Sequence, residues 1–124
     1  MWLYVNITEL LGKTILSIRG AEKEGDKIVF NCDDGTEYVM EHEQGCCESV
    51  WIEDIAGDID DLIGTPITLA EEVSNSDDPS LDEWDSSWTW TYYKLATVKG
   101  YVTIRWYGTS NGYYSESVDI RRVK

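Results

Sequence analysis

Positive charge is scarce in this sequence. Ten Lys and Arg stand against 24 Asp and Glu, a net charge of -14, which repels phosphate backbones and anionic membrane surfaces and argues against nucleic-acid or membrane partners. Phenylalanine occurs once beside 6 Trp and 8 Tyr, so most aromatic surface carries a hydrogen-bonding tip suited to half-buried walls and pockets. No apolar run approaches the length of a membrane helix, and Met1 to Val5 lacks the basic region of a secretory signal; both point to a cytoplasmic protein. Cysteine is limited to Cys32, Cys46 and Cys47. An odd count, with two of the three adjacent, argues against a disulfide framework and predicts reduced thiols.

What is present fits one domain spanning 1–124, a length that buries a single core. The expected class is α+β, mainly a twisted antiparallel sheet of hairpins and a meander with two short helical turns. Thr8 can cap a turn through Leu10 and Leu11 that Gly12 ends, and Thr14 to Ile18 reads as a strand. Lys27 to Cys32 and Thr36 to Glu41 flank Asp33, Asp34 and Gly35, a hairpin in which the glycine supplies a positive φ. Cys46 to Ile55 predicts a half-exposed strand with Val50 and Ile52 on one face and Trp51 on the other.

Asp58 or Asp60 can cap the second turn, through Leu62 and Ile63 to Gly64, with a strand from Pro66 to Leu69. Leu10-Leu11-Gly12-Lys13-Thr14-Ile15 and Leu62-Ile63-Gly64-Thr65-Pro66-Ile67 therefore form a weak internal repeat. Ser74 to Ser87 is almost entirely Ser, Asp, Asn, Pro and Glu around Leu81 and Trp84, the composition of a mobile acidic loop at about 74–87. Trp88 to Val98, Tyr101 to Tyr107 and Tyr114 to Val123 are β-rich runs expected to pair as a meander.

No nucleophile, base and oxyanion site assemble into a catalytic set, so no catalytic residue and no cofactor are expected. His42, Glu43, Gln44, Gly45, Cys46, Cys47 and Glu48 concentrate imidazole, thiol and carboxylate in one loop. The second knuckle and ligand spacing of a zinc site are missing, and the acidic surroundings disfavour a thiolate, so packing cysteines beside a hydrogen-bonding histidine are expected and no metal. Asp58, Asp60 and Asp61 lack the glycine and distal glutamate of a calcium loop and read as helix caps.

The C-terminal third interleaves rings and cations. Trp88, Trp90 and Tyr92 share one strand face, where flat rings either pack inward or stack on a ligand. Arg105 sits between Ile104 and Trp106, and a guanidinium among aromatics can pair with phosphate, stack on a base, or join an ion pair. Gly108 to Gly112 is a plain hairpin loop or a backbone cradle for an anion.

The string Arg105-Trp106-Tyr107-Gly108-Thr109-Ser110-Asn111-Gly112-Tyr113-Tyr114-Ser115 resembles the signature of a family of small phage proteins. His42, Gln44, Cys46, Cys47 and Glu48, followed by Ile52-Glu53-Asp54-Ile55 and Leu62-Ile63-Gly64, extend the likeness over about Leu10 to Val118. That family is similar to phage sponges that sequester the cyclic dinucleotides of bacterial CBASS defence. The resemblance implies a homo-oligomer, a tetramer, acting in the host bacterial cytoplasm and holding a signal such as cyclic GMP-AMP without cleaving it. Trp90, Tyr92, Tyr107, Tyr113 and Tyr114 would then stack on bases, each worth about 1–3 kcal/mol. Arg105, Lys94 and Lys99 would meet the phosphates, and His42, Ser110 and Asn111 would read base edges or the sugar-phosphate ring. Two competing readings remain: an acidic inhibitor that imitates DNA to a basic host protein, and a phage structural component.

Overall fold

The structure is a computed structural model that describes residues 2–124. Among the described residues nine strands form two antiparallel sheets whose inward faces share one core. In chain order these are β1 (Leu3–Tyr4), β2 (Ile15–Arg19), β3 (Lys27–Cys32), β4 (Glu37–Glu41), β5 (Ser49–Ala56), β6 (Leu69–Asn75), β7 (Ser87–Thr97), β8 (Gly100–Ser110) and β9 (Asp119–Arg122). The first sheet runs β1-β9-β4-β3-β2 and the second β5-β8-β7-β6. Antiparallel sheet therefore dominates, as expected. The α+β class is corrected: both helical turns are single 3-10 turns, Ile7–Leu10 and Ile59–Leu62, and no α-helix occurs among the described residues.

Each 3-10 turn is capped by an acceptor side chain. Asn6 accepts from the Thr8 amide and Asp58 from the Asp60 amide, satisfying donors that the turn itself leaves free. The second cap, Asp58, is one of the two expected from sequence. At the first turn Asn6 caps and Thr8 lies inside.

The repeat is real and self-contacting. Gly12 N donates to Ile67 O at 2.8 Å and Gly64 N to Ile15 O at 2.9 Å. Gly12 and Ile15 in one copy correspond to Gly64 and Ile67 in the other, so the two bonds are mates about a pseudo-two-fold axis. Each copy continues as a three-stranded meander, β2-β3-β4 or β6-β7-β8, and its fourth strand then leaves for the other sheet. β5 pairs with β8 and β9 with β4.

This exchange overturns the expected C-terminal meander. β7 and β8 pair along their full lengths, but only Asp119–Arg122 of the third run is strand, and it joins the first sheet. Val118 and Ile120 are buried in the common core, and that burial stabilises the crossing.

The Lys27–Cys32 hairpin forms as expected, with Gly35 at φ 87° in its turn. β5 alternates as predicted, Val50 and Ile52 buried and Trp51 half-buried. Gly57 ends it at φ 103°, where an added Cβ would lie 2.4 Å from Tyr101 O, so no larger residue fits. The strand expected from Pro66 starts later, at Leu69, and extends to Asn75.

The core joins Ile28, Phe30, Tyr38 and Met40 of the first sheet to Ile52, Tyr93, Leu95, Ile104 and Trp106 of the second. Leu10 and Leu62 from the two 3-10 turns complete it. Each fully buried Leu or Ile contributes about 1.5–3 kcal/mol.

Candidate functional site

Strand period two divides the aromatics of β7 and β8 between two faces. Tyr93, Leu95, Ile104 and Trp106 turn inward. Trp90, Tyr92, Lys94, Arg105 and Tyr107 turn outward, and the register places Trp90 opposite Tyr107 and Tyr92 opposite Arg105. β5 adds Trp51 beside Tyr107. The Trp51 and Trp90 rings both meet Tyr107 edge-on, at 5.3 and 4.6 Å between centroids.

This outward face is not open. The segment between β6 and β7, residues 76–86, crosses it as an acidic strap that accepts the polar ring tips of Trp88, Trp90, Tyr92 and Tyr107. Trp88 Nε1 donates to Asp78 O at 2.8 Å, Trp90 Nε1 to Pro79 O at 3.0 Å and Tyr92 OH to the Asp78 carboxylate at 2.8 Å. Tyr107 OH donates to the Asp85 carboxylate and receives the Leu81 amide. Trp90 is 6% exposed and Tyr107 fully covered, yet neither belongs to the inter-sheet core. Burial, then the Asp85 contact, pushes the Tyr107 phenol up to about 12, so it stays a donor at neutral pH.

Arg105 lies 5.5 Å from the Trp90 ring centroid. Its Nε and Nη2 reach Glu53 at 2.6 and 2.5 Å, and Nη2 lies 3.6 Å from Asp54. The guanidinium is thus a neutralised cation within a ring cluster. A hollow of about 230 Å³ at the strap's end is lined by Ser76, Ser86, Ser87 and Trp88.

The other residues singled out from sequence lie elsewhere. Lys94 is two pairs beyond Arg105 along the hairpin, opposite Thr103. Lys99 occupies the far turn, roughly 30 Å from Trp90 along the strand. Ser110 ends β8 and gives its hydroxyl to Glu116 at 2.5 Å, while Asn111 caps the Tyr113 amide. Tyr113 is 90% exposed, and Tyr114 packs beside Gly45.

His42 belongs to a second constellation. Its Nδ1 lies 2.7 Å from Ser117 O and its Nε2 2.9 Å from the Glu48 carboxyl, so both ring nitrogens are engaged. Glu48, with 1% of its side chain exposed, also accepts from Gln44 Nε2 and the amides of Gly45 and Cys46. Burial alone would raise this carboxyl; its own amide, His42 and the loop amides instead hold it down to about 2. An imidazole engaged at both nitrogens has none free to take a proton from a nucleophile.

The expectation of three reduced thiols is corrected. Cys46 and Cys47 are joined in a disulfide, and only Cys32 is free, buried in the core. Glu48 gathers the loop amides beneath the pair and so holds the turn in which adjacent sulfurs meet. Among the described residues no three His, Cys, Asp or Glu side chains converge as a metal site, and no helix is long and apolar enough to cross a membrane.

Beside His42 lies a hollow of about 260 Å³ lined by Tyr4, Glu41, Glu43, Gln44, Asp119 and Arg121. Tyr4 donates to Glu43, and Arg121 is bound to Glu41. Sequence reasoning left out of the site Trp51, Glu53, Glu48 and the strap acceptors Asp78 and Asp85. The alternation of β5 placed Trp51 on the right face, but nothing in a Ser- and Asp-rich stretch announces that it will dock.

The arrangement is that of a two-sheet β protein with strands exchanged between repeats and one aromatic face covered by its own acidic segment. Residues 8–120 match the family described as a domain of unknown function (DUF7448), and the chain belongs to that family. No curated protein and no solved structure matches it.

Proposed function

We propose that this domain is a binding module that captures a cyclic dinucleotide on the outward face of the second sheet and holds it uncleaved, as a phage protein that silences CBASS-type signalling in the host cytoplasm. The observation that carries the reading is the cluster of Trp51, Trp90, Tyr92 and Tyr107 around the Arg105 cation on the outward face beneath the strap. Rings stack on bases whatever their identity, and a guanidinium meets phosphate. The strap and Glu53 now satisfy those groups, so capture requires the strap to lift and a phosphate to replace Glu53 at Arg105. Lys94 lies close enough to assist. Lys99 does not reach this face, and His42, Ser110, Asn111, Tyr113 and Tyr114 would contribute only through a homo-oligomeric arrangement that brings another copy against it.

A second reading is an acidic inhibitor of a basic host protein. It is favoured by the strap's exposed carboxylates, Asp77, Asp78, Asp82 and Glu83, on a chain of net charge -14. One experiment separates the two. Purified protein is incubated with a panel of cyclic dinucleotides, washed and heat-denatured, and the supernatant is chromatographed. Intact nucleotide supports capture, and cleaved nucleotide indicates an enzyme. Absence of retained nucleotide, together with a salt-sensitive complex with a basic host protein, supports the inhibitor.

A further inference from the structure

Four strands border the two sheets, and they differ in how their outer backbone groups are treated. β1 is only two residues long. β2 carries a bulge between Ile15 and Ser17, and Gly64 N takes up Ile15 O. β5 is covered at its centre, since Glu24 N donates to Ile52 O and Ile52 N to Gly25 O, both at 2.7 Å. β6 has none of these protections. It pairs with β7 over seven residues with no break in register, Glu71, Glu72, Val73 and Ser74 are all exposed, and no described residue bonds its outer backbone from Leu69 to Asn75. A regular, bare edge of this length is a template for another strand unless charge discourages it.

The charge there is selective. Glu71 faces the ring side of the sheet opposite Lys94. Glu72 faces the other side, into a hollow of about 210 Å³ lined also by Tyr4, Val5, Asn6, Ile7, Val118, Asp119 and Ile120. The hollow therefore holds two carboxylates and no Lys or Arg, and neither Glu72 nor Asp119 has an ion-pair partner among the described residues. Pairing β6 antiparallel with β6 of a second copy would crowd the Glu71 and Glu72 carboxylates of the two copies together along the new seam, an unfavourable like-charge arrangement, between two bodies of net charge -14.

We propose that β6 is a docking edge for an extended, basic segment of another protein, which adds a fifth strand to the second sheet and sends a Lys or Arg side chain into the hollow between Glu72 and Asp119. Adjacent strand residues point to opposite faces. The segment is therefore defined by two neighbouring basic residues, one opposite Glu71 and one opposite Glu72, in an otherwise β-branched stretch. Main-chain bonds supply affinity and the two carboxylates supply selectivity. This holds whether or not the ring face takes a nucleotide.

The test uses the full chain and two synthetic peptides, a Val- and Thr-rich strand with two central lysines and the same strand with two central glutamates. Amide hydrogen exchange is followed by NMR. In the free protein the outward amides of residues 70–75 exchange quickly, and excess lysine peptide slows them at least roughly tenfold, a shift equivalent to about 1.4 kcal/mol; the glutamate peptide does not. Ser74→Pro, at a position whose amide points away from β7 and where an edge strand tolerates proline, removes the protection while the core amides of β7 and β8 remain slow. The double variant Glu71→Lys, Glu72→Lys reverses the peptide preference. Edge amides already slow in the free protein, equal protection by both peptides, or a homodimer that Ser74→Pro dissolves would each overturn the proposal.

Discussion

His42 Nε2 lies 2.9 Å from the Glu48 carboxyl, within hydrogen-bond distance, while 4% and 1% of the two side chains are exposed. This buried contact ties the end of β4 to the start of β5, the stretch in which the chain leaves one sheet for the other. Removing the charge at Glu48 leaves two loop amides, Gln44 and the imidazole facing a weaker acceptor. Glu48→Gln is therefore expected to lower Tm by about 5 °C or more, with the β5 amides losing protection first. An unchanged Tm would show that the loop is not anchored through Glu48.

The same carboxyl gives a pH signature. Its folded-state value of about 2 lies below the ordinary 4.5, so its stabilisation is complete above 4.5 and is lost as the pH falls towards 2. Urea titrations between pH 5 and 2 are expected to show stability declining with acid. In Glu48→Gln that decline is shallower, because one linked proton is gone.

Tyr107 sets the opposite limit. Held at about 12 against an ordinary 10.0 by burial and by Asp85, it contributes stability that is complete below 10 and lost as the pH rises through about 12. Strap release should follow that titration, seen as increased acrylamide quenching of tryptophan fluorescence. At neutral pH, Asp78→Ala with Asp85→Ala should give the same quenching at a cost of about 1–3 kcal/mol. If the rings stay protected in that double variant, the carboxylates do not hold the strap.

Arg105 and Glu53 test the nucleotide reading directly. Glu53→Gln frees the guanidinium and is expected to tighten nucleotide retention several-fold, whereas Arg105→Ala abolishes retention and leaves the fold intact. A loss of folding in Arg105→Ala, or no change in Glu53→Gln, would mark Arg105 as structural.

The cysteines can be counted chemically. Native protein is expected to resist thiol alkylation, reduction should release the two thiols of Cys46 and Cys47, and Cys32 should react only after unfolding because it is buried beneath the first sheet. Rapid labelling of untreated protein at Cys46 would show that the pair is reduced in solution.

Local features were legible in the sequence because their causes are local. The Asp33-Asp34-Gly35 turn, the alternation of Val50, Trp51 and Ile52, and the Leu-x-Gly turns of the repeat each follow from backbone preference or strand period over a few residues. The same alternation shows that Trp90 and Trp106 fall on opposite faces once the hairpin is paired. It does not say which face is interior, since both carry rings.

The tertiary structure decided the rest. Tyr114 to Val123 reads as another meander strand, yet its apolar residues find a better core against the first sheet, and only long-range packing makes that choice. Ser74 to Ser87 has the composition of a solvated loop, but the donors of Trp88, Trp90, Tyr92 and Tyr107 converge on its carbonyls and carboxylates. A segment with little apolar surface can dock when the face beneath it supplies hydrogen-bond donors, and the position of those donors is fixed by cross-strand register. For the same reason the sequence displayed Arg105, Glu53 and the rings as separate features, and pairing β5 with β8 made them one site.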